Sequence, residues 1–302
     1  MFNTQSTINL LSKLLPHHWF QAPAFKMGKA NPPATQSSKV KTDKRARGEV
    51  YLVGAGCGDP ELLTLKTHRL LQQTDVVLYD YLVNPEIIAM IPNHVNKIFV
   101  GKKCGRHSMS QQEICELMSS HALNGNNVVR LKGGDPSIFG RAAEEIEHLT
   151  QHDINFALIP GVTAAAGCAA WSGLPLTHRD CAHSVRFITA HFKNDVIAAE
   201  WENFAQSNDT LVFYMGMNKI ADIAENLMRY GKVPETPMAI IDQGTTAQHQ
   251  THISTLQTIG DDLASLELVG PALIMVGEAI TQRAKVKVDM LHPHYDVAEQ
   301  CL

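Results

Sequence analysis

Two aspartates, Asp59 and Asp135, each follow a glycine turn and precede a proline, and that repeated pattern is the part of this chain best suited to hold a ligand. The first stands in Val50-Tyr51-Leu52-Val53-Gly54-Ala55-Gly56-Cys57-Gly58-Asp59-Pro60, the second in Val128-Val129-Arg130-Leu131-Lys132-Gly133-Gly134-Asp135-Pro136. Glycine lets a backbone turn sharply and approach a ligand closely. Asp59 has the place of a helix N-cap and Pro60 that of a first helical residue, where the missing N–H costs nothing. A dinucleotide fingerprint G-x-G-x-x-G would need its third glycine at Asp59, and a carboxylate there would repel a pyrophosphate. The chemistry that fits is a ligand without phosphate, whose amino or ribose groups need acceptors and whose flat parts rest on glycine backbone. A tight strand-to-helix turn with no ligand accounts for one such loop. It accounts less well for two, and a third strand end, Pro160-Gly161-Val162-Thr163, feeds the small-residue segment 164–170.

Loops of this kind need a sheet to aim them. Short apolar runs at 50–53, 75–79, 97–100, 128–131 and 156–159 read as strands buried on both faces, with helices at 61–72, 111–121 and 140–150 between them. In the last, Ala142, Ile146 and Leu149 recur at helical spacing. Strands alternating with helices predict an α/β, doubly wound sheet whose strand ends share one crevice. A second set follows, with strands at 184–189, 210–214, 238–241, 249–255 and 272–276 and a helix at 219–230. The expected division is a basic, disordered extension over 1–47, an α/β domain over 48–175 carrying the glycine loops, a second α/β domain over 176–290 and a tail over 291–302, with a ligand cleft between the two domains.

Composition agrees with an enzyme. A chain of 302 residues, 44% hydrophobic, can bury a large core. No apolar run reaches the roughly 18 residues of a membrane span. The cysteines (Cys57, Cys104, Cys115, Cys168, Cys181 and Cys301) contain no C-x-x-C pair and accompany no export signal, which reads as reduced thiols in a cytoplasmic protein. No histidine pattern has metal-ligand spacing, and pairs such as His249/His252 read as solvated surface, so no metal is expected. Residues 1–47 carry about +7 and the remainder about −11. The basic part, with Asn31-Pro32-Pro33 and the run 39–47, lacks the apolar content to order itself. An organelle transit peptide is the alternative for this segment, weakened by the absence of arginine before Arg45. Its bases come with no nucleic-acid recognition motif, so nucleic acid is not an expected partner.

The order of short motifs resembles one family. Gly54-Ala55-Gly56-Cys57-Gly58-Asp59-Pro60, Tyr79-Asp80, Val100-Gly101-Lys102, Arg130-Leu131-Lys132-Gly133-Gly134-Asp135-Pro136, Phe139-Gly140-Arg141, Pro160-Gly161-Val162-Thr163, Gly173-Leu174-Pro175-Leu176-Thr177-His178-Arg179, Phe213-Tyr214-Met215-Gly216 and Gly244-Thr245 together are similar to the uroporphyrinogen-III C-methyltransferases, from about Gly48 to Ala284. The resemblance implies a tetrapyrrole-methylase fold and a homodimer. It implies transfer of two methyl groups from S-adenosylmethionine to C2 and C7 of uroporphyrinogen III, giving precorrin-2 and S-adenosylhomocysteine. All residues past the extension are used by that pattern, so the product is expected to pass to another protein.

Carried over by motif, the resemblance makes Asp80 the proton acceptor and Lys102 the proton donor. It makes Cys57, Gly133, Gly134, Asp135, Ile138, Thr163, Ala164, Met215 and Gly244 the methyl-donor contacts. Read from the residues alone, Asp80 serves equally as a cap for Asn84-Pro85 and Met215 as core. A polycarboxylate substrate calls for a cationic rim. Lys103, Arg106 and His107 cluster with Lys102 beyond the third strand, and Arg130, Arg141 and Arg179 lie near other expected loop ends. The rivals are a methylase of a later precorrin intermediate, a nicotinamide-dependent oxidoreductase, which Asp59 disfavours, and a non-catalytic donor-binding regulator. The chain departs from the family at Cys57, where proline is usual, at Ser137, where phenylalanine is usual, and at Ala190, where glycine is usual. Losing the ring-locked φ and an aromatic wall should weaken donor affinity. A Cys57→Pro, Ser137→Phe double variant is expected to bind S-adenosylmethionine more tightly by calorimetry; an equal or higher Kd contradicts this reading.

Overall fold

Strands that are apolar on both faces need helices on both faces, and the first half of the chain supplies them. The computed structural model describes residues 47–101, 109–191 and 198–283. β1 (Val50–Gly54), β2 (Val76–Tyr79), β3 (Asn96–Phe99), β4 (Val128–Lys132) and β5 (Phe156–Ile159) form a sheet of order β3-β2-β4-β1-β5. Every pairing in it is parallel. One face packs Val53, Val77, Val129 and Leu131 against Leu71 of α1 (Leu65–Gln73) and Ile87 of α2 (Pro85–Ala89). The other packs Val50, Leu52, Leu78 and Val128 against Ile114 and Met118 of α3 (Gln111–Leu123) and Leu149 of α4 (Ala142–Gln151). The expected α/β fold is what the chain adopts.

The helix expected over 61–72 is shorter, because two N-cap signals stand in series. Asp59 caps a single 3-10 turn, Pro60–Leu62, and the chain then extends at Leu63. Thr64 accepts from the Thr67 amide at 3.1 Å and starts α1. The small-residue segment after β5 is itself a helix, α5 (Ala164–Ser172). Its small side chains let it lie close to a neighbour, and that neighbour is the second sheet: Ala165, Cys168 and Ala169 pack with Val212, Ala239, Ile241, Leu273 and Met275.

That second sheet is mixed. It comprises β6 (Val185–Thr189), β7 (Thr210–Tyr214), β8 (Pro237–Asp242), β9 (Gln250–Thr255) and β10 (Ala272–Val276), in the order β6-β7-β10-β8-β9. β6 and β7 run parallel, and the other pairings are antiparallel. Its face away from α5 is covered by Trp201 of α6 (Ala198–Gln206), by Ile220, Ile223 and Leu227 of α7 (Ile220–Arg229) and by Ile259 of α8 (Ile259–Asp262). Among the described residues no helix is long and apolar enough to cross a membrane.

One feature of the first sheet is costly. Arg130 and Lys132 point to the same side of central strand β4 and are 2% and 4% exposed. Both pair with Glu145 of α4, which is fully buried: Arg130 Nε donates to it at 3.0 Å, and Lys132 Nζ donates to its two oxygens at 2.8 and 3.0 Å, while Asp80 supplies a second anion to Arg130 at 2.6 Å. Burial pushes the Lys132 ammonium below its ordinary value and the Arg130 charge adds to that, while Glu145 acts in the opposite sense. Removing the shared anion would leave two buried cations facing each other. Glu145→Gln is therefore expected to destabilise the fold by about 3–5 kcal/mol, read as a lower urea midpoint; an unchanged midpoint contradicts this account.

Candidate ligand site at the converging strand ends

The loops after β1, β4 and β5 meet backbone to backbone. A side-chain carbon at Gly54 would stand 2.6 Å from both the Gly134 carbonyl oxygen and the Gly161 amide nitrogen, so only hydrogen fits there. Gly56 and Gly134 exchange hydrogen bonds across an isolated bridge, at 3.2 and 2.6 Å. Thr67 of α1 donates to the Gly54 carbonyl at 3.2 Å from behind. At Gly134, with φ of 70°, an added carbon would meet, among the described residues, only the Ala164 amide nitrogen, 4.0 Å away. That leaves open space over the glycine backbone at the start of α5, where a flat group can lie.

Side chains extend this junction in both directions. Asp135 ties the β4 loop to the β5 loop: Oδ2 accepts from the Gly161 amide at 3.0 Å, and Oδ1 accepts from the Ser137 amide and hydroxyl at 2.8 and 2.5 Å. Asn84 ties the β2 loop to the first glycine loop, donating to the Gly58 carbonyl at 2.8 Å. Tyr214, at the end of β7, bridges to α5: its hydroxyl lies 2.7 Å from Thr163 Oγ1 and accepts from the Ala165 amide at 3.0 Å. Burial pushes the Tyr214 phenol up, keeping it a neutral hydroxyl. From the end of β8, Thr245 Oγ1 accepts from the Asp59 amide at 3.2 Å. Both sheets thus contribute to one ring of hydrogen-bonded loops around the N-terminus of α5.

Backbone strain concentrates on the same rim. Phe139 and Arg141 after β4, Met215 after β7, and Gln243 and Thr245 after β8 all have φ between 48° and 63°. Non-glycine residues held there cost of order 1 kcal/mol or more and mark positions the fold over-determines. Met215 is 57% exposed, which overturns the reading of it as core.

Asp80 sits at the end of β2. Its Oδ1 accepts from Arg130 Nη2 at 2.6 Å, and its side chain keeps 29% exposure toward solvent. The capping role read from the residues alone is not what it does, because Asn84 Oδ1 caps α2 by accepting from the Glu86 amide at 2.9 Å. Arg130 is corrected in turn. Expected on a cationic rim, it is buried, and it links Asp80 to Glu145. The reason is its place in β4 opposite Leu52 and Leu78, in the middle of the sheet.

The other expected residues fall in several places. Gly133, Gly134, Thr163 and Ala164 lie at the junction, half-buried, Ile138 is half-buried in the turn that follows Asp135, and Gly244 is buried beside Cys168. Cys57 turns its thiol against Gly167 of α5 and hydrogen-bonds with Thr245; burial pushes it up, away from the reactive thiolate. Arg141 is exposed and paired with Glu144 at 2.7 Å, and Arg179 is exposed in the segment before β6. Lys102, Lys103, Arg106 and His107 lie outside the described residues. An apolar hollow of about 390 Å³, lined by Ser137, Phe139, Arg141, Ile146 and Leu158 among others, opens over edge strand β5.

Reasoning from the sequence missed Glu145, Tyr214 and Thr245. Glu145 had a signal: two bases two apart in a buried central strand demand an acid on the helix that covers them. Tyr214 and Thr245 had none, since their partners are 51 and 186 residues away. If Asp135 acts as the latch between two loops, Asp135→Ala is expected to raise the hydrogen-exchange rate of the Gly161 amide about tenfold or more; unchanged protection would remove the latch.

Known proteins are similar to this arrangement. The family model of the tetrapyrrole (corrin/porphyrin) methylases matches residues 49–260. A siroheme synthase of Ectopseudomonas mendocina is 49% identical over 242 residues, 80% of this chain and 52% of the relative, so the chain spans about half the length of the curated relatives it matches. The uroporphyrin-III C-methyltransferase of Thermus thermophilus, solved with S-adenyl homocysteine, is 39% identical with a TM-score of 0.67, covering 78% of this chain and 99% of that one. A cobalt precorrin-4 methyltransferase structure is 26% identical with a TM-score of 0.70, covering 77% of this chain and 95% of that one. With two α/β sheets, glycine loops at the strand ends and a family match over most of its length, the chain belongs to the tetrapyrrole methylases.

Proposed function

We propose that this chain binds S-adenosylmethionine at the glycine junction and methylates uroporphyrinogen III at C2 and C7, giving precorrin-2. The observation that supports the reading is the room left over the glycine backbone at Gly134, beside the start of α5. The residues fit the donor. Gly133 and Gly134 offer bare backbone to a flat adenine, Thr163 and Ala164 offer the start of α5, and Met215, Ile138 and Gly244 supply apolar wall. Three of the roughly four lone-pair sites of the Asp135 carboxylate are already taken by protein donors, so its contribution is to hold the loops more than to grip the donor. Bound S-adenosylmethionine supplies an electrophilic methyl group, and its transfer forms a C–C bond as the S–CH₃ bond breaks and S-adenosylhomocysteine leaves.

The chain's own part is positioning and proton handling. Two sheets joined around α5 hold both reactants within the roughly 3–3.5 Å approach that in-line transfer needs. Asp80, fixed by Arg130 yet partly open to solvent, is placed to balance the positive charge that grows on a pyrrole ring and then to accept the proton that leaves it. The proton-donating role assigned to Lys102 is carried forward on the resemblance alone. Arg179, exposed, and Arg141, exposed and paired with Glu144, are the described bases of the predicted rim that stand at the surface to meet carboxylates. A homodimer is part of the proposal, supported by apolar Phe156 and Leu158, which stand 37% and 40% exposed on edge strand β5. A cytoplasmic site of action belongs to the same reading.

The test is anaerobic incubation with uroporphyrinogen III and methyl-labelled S-adenosylmethionine, followed by mass analysis of the oxidised tetrapyrrole. A gain of two methyl groups is expected, with Asp80→Asn slower by about 10²–10⁴-fold and donor affinity retained. The likeness to a cobalt precorrin-4 methyltransferase supports a second reading, a later intermediate as substrate. Donor binding without transfer to uroporphyrinogen III would move the chain to that reading or to a non-catalytic donor-binding regulator.

A further inference from the structure

His249 was expected on solvated surface, and it is not there. It is half-buried at the end of the β8–β9 loop, and both ring nitrogens are engaged. The Thr245 amide donates to Nδ1 at 3.1 Å. Nε2 lies 3.0 Å from Thr251 Oγ1 and 3.3 Å from Ser172 Oγ, which are themselves 2.8 Å apart. A backbone N–H can only donate, so Nδ1 carries a lone pair and the neutral ring keeps its proton on Nε2. Thr245 holds a φ of 63° and supports Asp59 and Cys57 of the first glycine loop. One ring nitrogen therefore stands behind the contact between the β8–β9 loop and the strand ends of the other sheet.

We propose that His249 is a positioning residue: by accepting the Thr245 amide it holds the β8–β9 loop against the first glycine loop, and protonation of the ring releases that hold. The effect on donor binding rests on the function proposed above; the coupling of the ring to the loop does not. A protonated imidazole presents N–H at both positions and would face the Thr245 N–H with another donor. The groups around the ring oppose protonation. From the turn after β10 the Arg283 guanidinium faces it, donating to the Ser172 carbonyl at 3.0 Å. From α5 come Ser172 and the Trp171 ring, 5.7 Å away, and from β9 comes Thr251, all uncharged. Across Thr245 the first glycine loop brings the Cys57 thiol and the Asp59 carboxylate. Burial first, and Arg283 second, push the imidazole below its ordinary value. The sign follows: the ring stays neutral and the loop held at neutral pH, and the hold is lost as pH falls through the lowered imidazole value.

Two readouts on the full chain decide the matter. In the ligand-free protein, NMR spectra recorded through falling pH follow the His249 ring and the amides of Thr245 and Asp59. Both amides are expected to move with the ring's midpoint. In His249→Asn, whose Oδ1 takes the place of Nδ1 and does not titrate, they should stay still. Amides indifferent to the ring overturn the proposal. In calorimetric titrations with S-adenosylhomocysteine, the wild type is expected to lose about tenfold in affinity between a pH well above and a pH well below the ring midpoint read by NMR. His249→Asn should keep the wild type's higher affinity at both, and His249→Phe should be weak at both. Binding that ignores pH, with His249→Phe unchanged, also overturns the proposal. A wild type with no affinity at either pH sinks the donor-binding reading instead, and the amide titration still decides the role of His249.

Discussion

The architecture depends on a contact in which no side chain takes part. Gly54, Gly134 and Gly161 bring three main chains so close that a single carbon on Gly54 or Gly161 would overlap backbone atoms. That approach draws the ends of β1, β4 and β5 into one junction, and the Gly56–Gly134 bridge keeps it closed. Everything read as function lies on this junction or is hung from it. The space over Gly134 and the start of α5 follow from strands ending at the same level, while the turn at Met215 comes from β7 of the second sheet.

Charge is handled with similar economy. A central parallel strand is the least hospitable place for two cations, since each loses its hydration and repels the other. Placing Glu145 between Arg130 and Lys132 satisfies both, and Arg130 then spans to Asp80 at the sheet's functional end. The arrangement turns a buried cost into a rigid mount: a carboxylate at the edge of the junction is fixed through a guanidinium to a carboxylate in the core. Exposed bases such as Arg141 have no such constraint and remain at the surface.

The second sheet is joined to the first through α5 and through single polar bonds. Small residues on α5 allow close packing on β7, β8 and β10, while its first turn is held by Tyr214. Thr245 reaches the first glycine loop, and His249 holds Thr245. These links are few and individually modest, about 1 kcal/mol each. Their weight comes from where they act, between sheets that share one ligand-facing rim.

Much was legible from sequence because it rests on local rules. Runs of apolar residues marked the strands, the Gly-Asp-Pro pattern marked the turns, and motif order marked the family. Helix starts were less legible where Asp59 and Thr64 compete as caps five residues apart. By itself, then, the sequence determined the α/β alternation, the glycine loops and their phosphate-free character, since periodicity, capping and backbone freedom are properties of neighbours along the chain. Only the tertiary structure decided that Arg130 is a buried mount and not a rim contact, that α5 belongs to the second sheet's core, that Met215 is exposed and strained, and that His249 holds a loop. The mount at Arg130 and the place of α5 depend on partners dozens of residues away, and long-range pairing leaves no periodic trace in a single sequence.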